Sequence, residues 1–342
     1  MDLNAVPKKY EGLTGTEIAL SESQERMAAV ISPCDLDRFM AECSEENLEA
    51  AAVARVTDTN RLTMVHDGVK IIDISRKFLD SAGAVRFQNI KVADAGDLSG
   101  VLRKKKYGSF KEIIKDTLSD LNVCSQKGLV EMFDSTVGAS SVLTAFGGKY
   151  GSTPSQAMAA KIPAGTEDTS TLSLMASGYN PYIMERSPYH GAFFAVIESV
   201  SKILALGGYL EDIRLSFQEY FERLGSDPVK WGKPFAALLG ALKAQNELGI
   251  AAIGGKDSMS GTFKDNETGT EINVPPVLIS FAVAQSDISR IVTAEFKENS
   301  GDIYLLKTPV SSDNLPDLAE FKKNVAALRK LIADKAADAV YA

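Results

Sequence analysis

The sequence is poor in the residues from which metal sites and disulfide frameworks are built. Its 342 residues include three cysteines, two histidines and one tryptophan. Cys34, Cys43 and Cys124 match no zinc-binding spacing, and His66 and His190 are too few to complete such a site. A zinc domain and a disulfide scaffold are therefore excluded, and we expect reduced cysteines.

Long apolar runs and an excess of basic residues are missing as well. No apolar run approaches the roughly 20 residues that span a bilayer, and the first residues lack the segments of a signal peptide. The chain has 37 basic against 45 acidic residues and a formal net charge of -8, which argues against nucleic acid as a main partner. We therefore expect a cytoplasmic protein that binds neither membrane nor nucleic acid.

Apolar periodicity predicts a mixed α+β and α/β fold, in which helices pack against mixed sheets. Strand-like runs lie at residues 27–31, 52–57, 62–65, 141–146, 156–162, 171–176, 213–217, 250–253, 277–284 and 303–307. Helical spacing occurs at residues 36–43, 110–118, 191–206, 234–248 and 318–332. Asp67-Gly68 predicts a two-residue hairpin turn. The first hundred residues contain too few elements for a complete domain, so both ends of the chain are expected to interrupt larger domains.

The strongest local signal is a glycine turn after a predicted strand, with the sequence IGGKDSMSG at residues 253–261. The backbone at Gly254 and Gly255 can approach an anion closely, Lys256 supplies positive charge, and Asp257 and Ser258 offer oxygen atoms. The spacing differs from that of the common phosphate loop. The segment is either a phosphate or nucleotide contact or a tight turn with solvated polar groups.

Three other polar features each have a structural and a functional interpretation. Glu198 lies in an apolar helix with Lys202 four residues later, which fits either a helical ion pair or a metal ligand. His190 precedes the same helix. It is either a histidine whose ring is hydrogen-bonded at the start of the helix, or an acid, a base or a phosphate ligand. The polar cluster at residues 21–26 is either a surface turn or the mouth of a pocket.

Four separated motifs together resemble phosphoribosylformylglycinamidine synthase. They are GTEIALSESQERM at residues 15–27, SPYHGA with the following helix at 187–200, LSFQEY at 215–220 and GGKDSMS at 254–260. The resemblance covers essentially the whole chain, but only the middle of the long form of that enzyme. It implies an ATP-dependent ligase of purine biosynthesis, in the aminoimidazole ribonucleotide synthetase superfamily. There the formyl amide oxygen of formylglycinamide ribonucleotide is activated by phosphoryl transfer and displaced by ammonia from glutamine.

The resemblance also implies a division of the chain into parts of two fused synthetase halves. Residues 1–95 would complete the C-terminal-type domain of the first half, and 96–125 would be a linker with one helix. Residues 126–290 would form the N-terminal-type domain of the second half, and 291–342 would begin its C-terminal-type domain. The expected interruption at both ends has this explanation.

Site residues follow from the resemblance position by position. The substrate-binding residues it implies are Glu22, Ser23, Gln24 and Ser258. The nucleotide- or phosphate-binding residues it implies are Gly254, Gly255, Lys256 and Asp257.

Some long enzymes hold a nucleotide with magnesium in the second half, and Glu198 matches one of the ligands. The other two expected ligand positions of this site carry Lys202 and Ala159. We therefore expect this magnesium site to be lost, with the Lys202 ammonium group in its place. At a different position, Lys256 stands where some relatives have a metal-binding Asn, so the resemblance implies direct contact of its ammonium group with phosphate there.

The full enzyme would use ATP and magnesium, but its catalytic histidine, main ATP loop and glutaminase domain match no part of this chain. No catalytic residue is assigned here, and the chain alone is expected to be inactive. Its expected partners are the first synthetase half, the glutaminase domain and, through the N-terminal-type domain, a second copy. Two alternatives remain: a non-catalytic, pseudo-symmetric scaffold half, or another ATP-dependent synthetase of the superfamily.

Overall fold

The computed structural model describes residues 1–22, 26–81, 87–96, 98–102, 108–121, 123–132, 139–165, 168–298 and 300–342. Backbone proximity divides the chain into two compact units, Met1–Phe87 and Gln88–Ala342. The domain boundaries predicted at residues 95, 125 and 290 stay predictions.

The first unit contains a β-hairpin and short helices. Strands β1 (Arg61–His66) and β2 (Val69–Ser75) pair antiparallel through a turn at Asp67 and Gly68, whose φ angles are 50° and 75°. Two successive positive φ values are typical of a type I′ turn, and the predicted hairpin is confirmed. The helices are α1 (Gly15–Leu20), α2 (Leu36–Glu45) and α3 (Arg76–Asp80).

Helix α1 leads directly into the polar cluster and is fixed at its start. Thr14 Oγ1 accepts a hydrogen bond from the Glu17 N–H, and the Glu17 carboxylate accepts one from the Thr14 N–H at 2.7 Å. This reciprocal pair is a capping box, which satisfies two N–H groups at the start of the helix. A Cβ built on Gly15 would lie 2.7 Å from the Cβ of His66, so α1 packs on β1 at a distance that needs glycine.

Two strands predicted for the first unit are wrong. Residues 27–31 and 52–57 have no regular structure, and Met27 is 96% exposed. An apolar run becomes a strand only where a neighbouring backbone and a packing surface receive it, and these runs pair with no strand of the described chain. Helix α2 is confirmed, but its apolar stripe is half-buried rather than buried.

The second unit carries a six-stranded sheet. The helices described in it are α4 (Ser99–Leu102), α5 (Phe110–Ser119), α6 (Lys127–Val130), α7 (Pro181–Arg186), α8 (Pro188–Ala205), α9 (Pro228–Leu248) and α10 (Leu318–Ala333). The strands described in it are β3 (Ser141–Leu143), β4 (Phe146–Gly147), β5 (Thr153–Pro154), β6 (Met158–Lys161), β7 (Thr171–Gly178), β8 (Arg214–Tyr220), β9 (Ala251–Lys256), β10 (Thr262–Lys264), β11 (Glu271–Asn273) and β12 (Val277–Asp287).

The sheet is mixed, with the strand order β3-β6-β7-β12-β8-β9. Neighbouring strands are antiparallel except β8 and β9, which run parallel. Helix α9 connects these two strands, because a parallel pair needs a long crossover connection. β4–β5 and β10–β11 form separate two-stranded pairs.

The core lies between one face of this sheet and helices α8 and α9. Alternate residues of β12 are buried, as period-two geometry requires for a strand with one covered face. Phe193, Val196 and Val200 of α8 are at most 1% exposed. Burying each such side chain contributes about 1.5–3 kcal/mol. The predicted fold class, mixed sheets packed with helices, is confirmed.

Helix α5, the start of α9 and residues 303–307 compare differently with the sequence predictions. Helix α5 is confirmed with its cap, since Ser109 Oγ accepts from the Glu112 N–H at 3.3 Å. Helix α9 begins at Pro228 rather than at residue 234, because Asp227 caps it and a proline is tolerated in the first turn. The strand predicted at residues 303–307 is wrong: the segment is irregular and Ile303 is 85% exposed.

In the described ranges, no helix has the length and apolar character needed to cross a membrane.

Candidate functional site

Two of the four motifs lie side by side at the edge of the six-stranded sheet. Strand β8 carries LSFQEY and β9 leads into GGKDSMS, with Phe217 opposite Gly255 and Gln218 opposite Lys256. A Cβ built on Gly255 would lie 2.5 Å from the Phe217 carbonyl oxygen, so a side chain there would push the strands apart. Gly255 therefore has a packing role, whereas a Cβ on Gly254 would meet open space.

Hydrogen bonds fix the chain that follows β9. The Ser258 N–H donates to the Glu219 carbonyl at 3.2 Å, and the Phe221 N–H donates to the Ser258 carbonyl at 2.9 Å. The hydroxyl oxygens of Ser258 and Ser260 lie 2.8 Å apart. Lys256 and its neighbour Asp257 are exposed. The loop thus presents an ammonium group and hydroxyl groups to solvent, the kind of donors that contact phosphate.

A buried carboxyl group lies beneath this loop. Glu219 is 6% exposed, and among the described residues its Oε1 atom has no hydrogen-bond partner. Burial, and then the charge of Asp257, raise the pKa of Glu219 to about 7. The sequence reasoning did not single it out, although alternation from Leu215 through Phe217 places Glu219 on the core-facing side of β8.

Glu198 and Lys202 form the helical ion pair that was one of the two predicted interpretations. Lys202 Nζ lies 2.7 Å from Glu198 Oε1 and also donates to the Ser177 carbonyl at 2.8 Å. The second oxygen, Glu198 Oε2, accepts the backbone N–H of Tyr179 at 3.0 Å. Both carboxylate oxygens are therefore engaged by the protein itself, and Ala159 is buried without a polar group.

Both ring nitrogens of His190 have hydrogen-bond partners at the start of helix α8, which is the structural one of its two predicted interpretations. It is 9% exposed, and its Nε2 lies 2.9 Å from the carbonyl oxygen of Asp313. Because a carbonyl only accepts, Nε2 carries the proton, and Nδ1 accepts from the Ser187 hydroxyl at 2.7 Å. Ser187 also caps helix α8, so both side chains serve its start.

The predicted substrate triplet falls mostly outside the described residues. Glu22 is exposed just after α1, whereas Ser23 and Gln24 lie outside the described ranges. Within the described parts of the chain, no group of three or more His, Cys, Asp and Glu side chains is arranged to hold a metal ion.

The first part of the chain matches a family model, and the fold is similar to that of solved structures of one protein. Residues 1–67 match the model of the family described as AIR synthase related protein, C-terminal domain. A solved structure of Thermotoga maritima PurL complexed with ATP covers 97% of this chain with a TM-score of 0.65 and 18% identity, over 48% of its own length. The same protein complexed with FGAR gives a TM-score of 0.65 and 19% identity, over 97% of this chain and 47% of its own.

Curated relatives similar to most of this chain share one name. Phosphoribosylformylglycinamidine synthase subunit PurL of Mycobacteroides abscessus is 25% identical over 314 residues, 90% of this chain and 38% of the relative. The subunit of the same name from Thermoplasma acidophilum is 24% identical over 323 residues, 92% of this chain and 39% of the relative. The chain thus spans less than two fifths of these relatives. The resemblance indicated by the four motifs is confirmed along nearly its whole length.

Proposed function

We propose that this chain is a segment of a phosphoribosylformylglycinamidine synthase and serves its ATP-dependent ligation. In that reaction formylglycinamide ribonucleotide becomes formylglycinamidine ribonucleotide, with glutamine as the source of ammonia. The observation that carries the proposal is the match of 90% of the chain to relatives of that name. Complexes of the T. maritima protein with ATP and with FGAR support the same two ligands for the complete enzyme.

Within that enzyme we assign the loop after β9 to phosphate contact. Lys256 is exposed beside a backbone that Gly255 holds against β8, and the Ser258 hydroxyl is fixed nearby. An ammonium group next to hydroxyl donors suits a phosphate dianion. Glu22, Ser23 and Gln24 are assigned to the substrate on the resemblance alone.

The Glu198 position does not suit a magnesium nucleotide. Its two oxygens already accept from Lys202 and from the Tyr179 N–H. A divalent cation would have to displace the ammonium group or lie beside it, and either arrangement is electrostatically unfavourable. We infer that Lys202 supplies fixed positive charge at this place.

That ion pair also favours a second function, a pseudo-symmetric scaffold half that shapes the partner site without taking part in it. The sheet supports pairing with another N-terminal-type domain, because Met158 and Met175 are 38% and 39% exposed on its strands. Such a partner would be the other half of the enzyme or, in its absence, a second copy of this chain.

Complementation separates direct participation from scaffolding. The chain is mixed with the missing synthetase segments and glutaminase domain, and formation of formylglycinamidine ribonucleotide is measured with ATP, magnesium and glutamine. We expect no turnover by the chain alone, turnover in the mixture, and a loss of about ten- to a hundredfold with Lys256→Ala or Ser258→Ala. Lys264→Ala, an exposed lysine on β10, is the matched control and should leave turnover unchanged.

Unchanged turnover with both loop variants would favour the scaffold. No turnover in a mixture of folded wild-type parts would contradict the proposed function itself.

A further inference from the structure

A cavity of about 350 Å³ lies in the second unit between the end of α8, the turn that follows it, and α10. It shares no lining residue with the β8–β9 edge. Its apolar wall includes Leu204, Leu328 and Ile332, and its polar wall includes Tyr209, Arg290 and Arg329. Small-molecule sites have volumes of about 300–1,000 Å³ and combine an apolar lining with a few polar groups.

Two guanidinium groups lie against one aromatic ring in this cavity. The Cζ atoms of Arg290 and Arg329 are 4.4 and 3.8 Å from the centre of the Tyr209 ring. Each contact is a cation–π interaction, but together they hold two like charges close to one another. The two arginines also lower the pKa of the Tyr209 phenol below its usual value, and Arg290 has the larger effect.

The two arginines differ in how they are neutralised. Arg329 forms an ion pair with Glu211 at 2.7 Å. Among the described residues Arg290 forms no ion pair, and its buried Nε has no hydrogen-bond partner. The Asp287 carboxylate, three residues earlier, accepts the hydroxyl groups of Ser170 and Ser289, both at 2.6 Å, and interacts with Arg290 only through its charge. Because no ion pair neutralises Arg290 among the described residues, its charge would stabilise an anion in the cavity that it lines.

The backbone that carries Arg290 is held in place. Gly207 has a φ of +101°, and a Cβ on it would lie 2.2 Å from the Arg290 carbonyl oxygen. The Val292 N–H donates to the Leu206 carbonyl at 3.2 Å, which joins the two segments. Arg290, which contacts the Tyr209 ring but forms no ion pair among the described residues, therefore extends from a fixed backbone in the cavity wall.

We propose that this cavity binds a small organic anion. Its apolar body would pack on Leu204, Leu328 and Ile332, and its phosphate or carboxylate head would bind the Arg290 guanidinium. Lys335 also lines the cavity, so the charges of Arg290, Arg329 and Lys335 exceed that of Glu211 by two. This excess favours a dianionic head over a monoanionic one.

Calorimetric titration of the 342-residue chain tests the proposal with four probes: phenyl phosphate, benzoate, inorganic phosphate and phenol. We expect phenyl phosphate to bind most tightly, inorganic phosphate more weakly because it lacks an apolar body, and phenol not at all. Arg290→Gln should weaken phenyl phosphate binding about tenfold or more, since a hydrogen bond to a charged group is lost. Arg223→Gln, an exposed arginine outside the cavity, is the matched control and should have no effect.

A second variant removes the space and leaves every charge. Ala333→Phe fills the cavity from α10 and should abolish phenyl phosphate binding. Folding of each variant is checked by the fluorescence of Trp231; if Arg290→Gln does not fold, Ala333→Phe decides. Tighter binding of benzoate than of phenyl phosphate would assign a carboxylate head. The proposal would be overturned if neither phenyl phosphate nor benzoate binds, or if neither Arg290→Gln nor Ala333→Phe weakens the binding.

Discussion

Replacing Glu219 by glutamine is expected to stabilise the second unit above pH 7 and to change its stability little near pH 4. The carboxyl group is buried on the core face of β8, and its Oε1 has no partner among the described residues. Burial, and secondarily Asp257, raise its pKa from 4.5 to about 7. Glutamine has nearly the shape of the protonated acid but never carries its charge.

The sign and size follow from proton linkage. The folded-state pKa is the higher one, so between pH 4.5 and about 7 the unfolded chain releases the Glu219 proton while the folded chain retains it. Unfolding is favoured progressively over this range, and the full penalty is reached above pH 7. The shift corresponds to about 3 kcal/mol, since each pKa unit is worth about 1.4 kcal/mol. Below pH 4.5 both states are protonated and the penalty vanishes.

Urea unfolding at pH 4.5 and pH 8, followed by the fluorescence of Trp231 in α9, measures this effect. Glu222→Gln is a matched control of opposite sign. Glu222 is buried too, and burial raises its pKa, but Lys233 and then Lys230 at 2.9 Å lower it by a larger amount, to below the ordinary value. Its replacement should therefore destabilise the unit at pH 8. Stabilisation by Glu219→Gln of equal size at both pH values would refute the reasoning, because an ionisation effect must depend on pH.

Two further predictions concern backbone geometry and the nucleotide. Gly249→Ala should cost about 1 kcal/mol of unfolding free energy, because φ is +74° there but the new Cβ would meet no other atom. Gly207→Ala should cost more than about 2 kcal/mol, because the strain of its positive φ adds to the overlap of the new Cβ with the Arg290 carbonyl oxygen. Equal costs in urea unfolding would contradict this difference. Calorimetric titration of the chain with ADP should show no heat of binding that depends on magnesium. Magnesium-dependent ADP binding that is lost in Glu198→Ala would contradict the interpretation of Glu198 as the partner of Lys202.

Much of the local structure could be predicted from short-range signals. The Asp67-Gly68 turn, the Ser109 cap of α5 and the end of α9 at Gly249 are all found where the residue types indicate them. Each signal acts through the backbone of a few neighbouring residues, so no distant contact is needed to interpret it. The start of α9 was misplaced because Pro234 imitates the first position of a helix that Pro228 already begins.

Apolar composition alone could not decide which runs become strands. Residues 277–284 and 303–307 have similar apolar character, yet only the first run has antiparallel partners on both sides. Strand formation depends on hydrogen bonds from another segment, and sequence periodicity does not say which segment is adjacent.

The candidate sites divide in the same way. Residue types at short spacing predicted helices α2, α5, α8, α9 and α10, the Asp67-Gly68 hairpin and the resemblance carried by four motifs, and they allowed an ion pair between Glu198 and Lys202 as one of two interpretations. The packing of distant segments brings the motifs on β8 and β9 side by side, buries Glu219 and places Arg290 beside Tyr209. These facts depend on segments far apart in the chain, and burial and unmet hydrogen bonds arise only once those segments pack together.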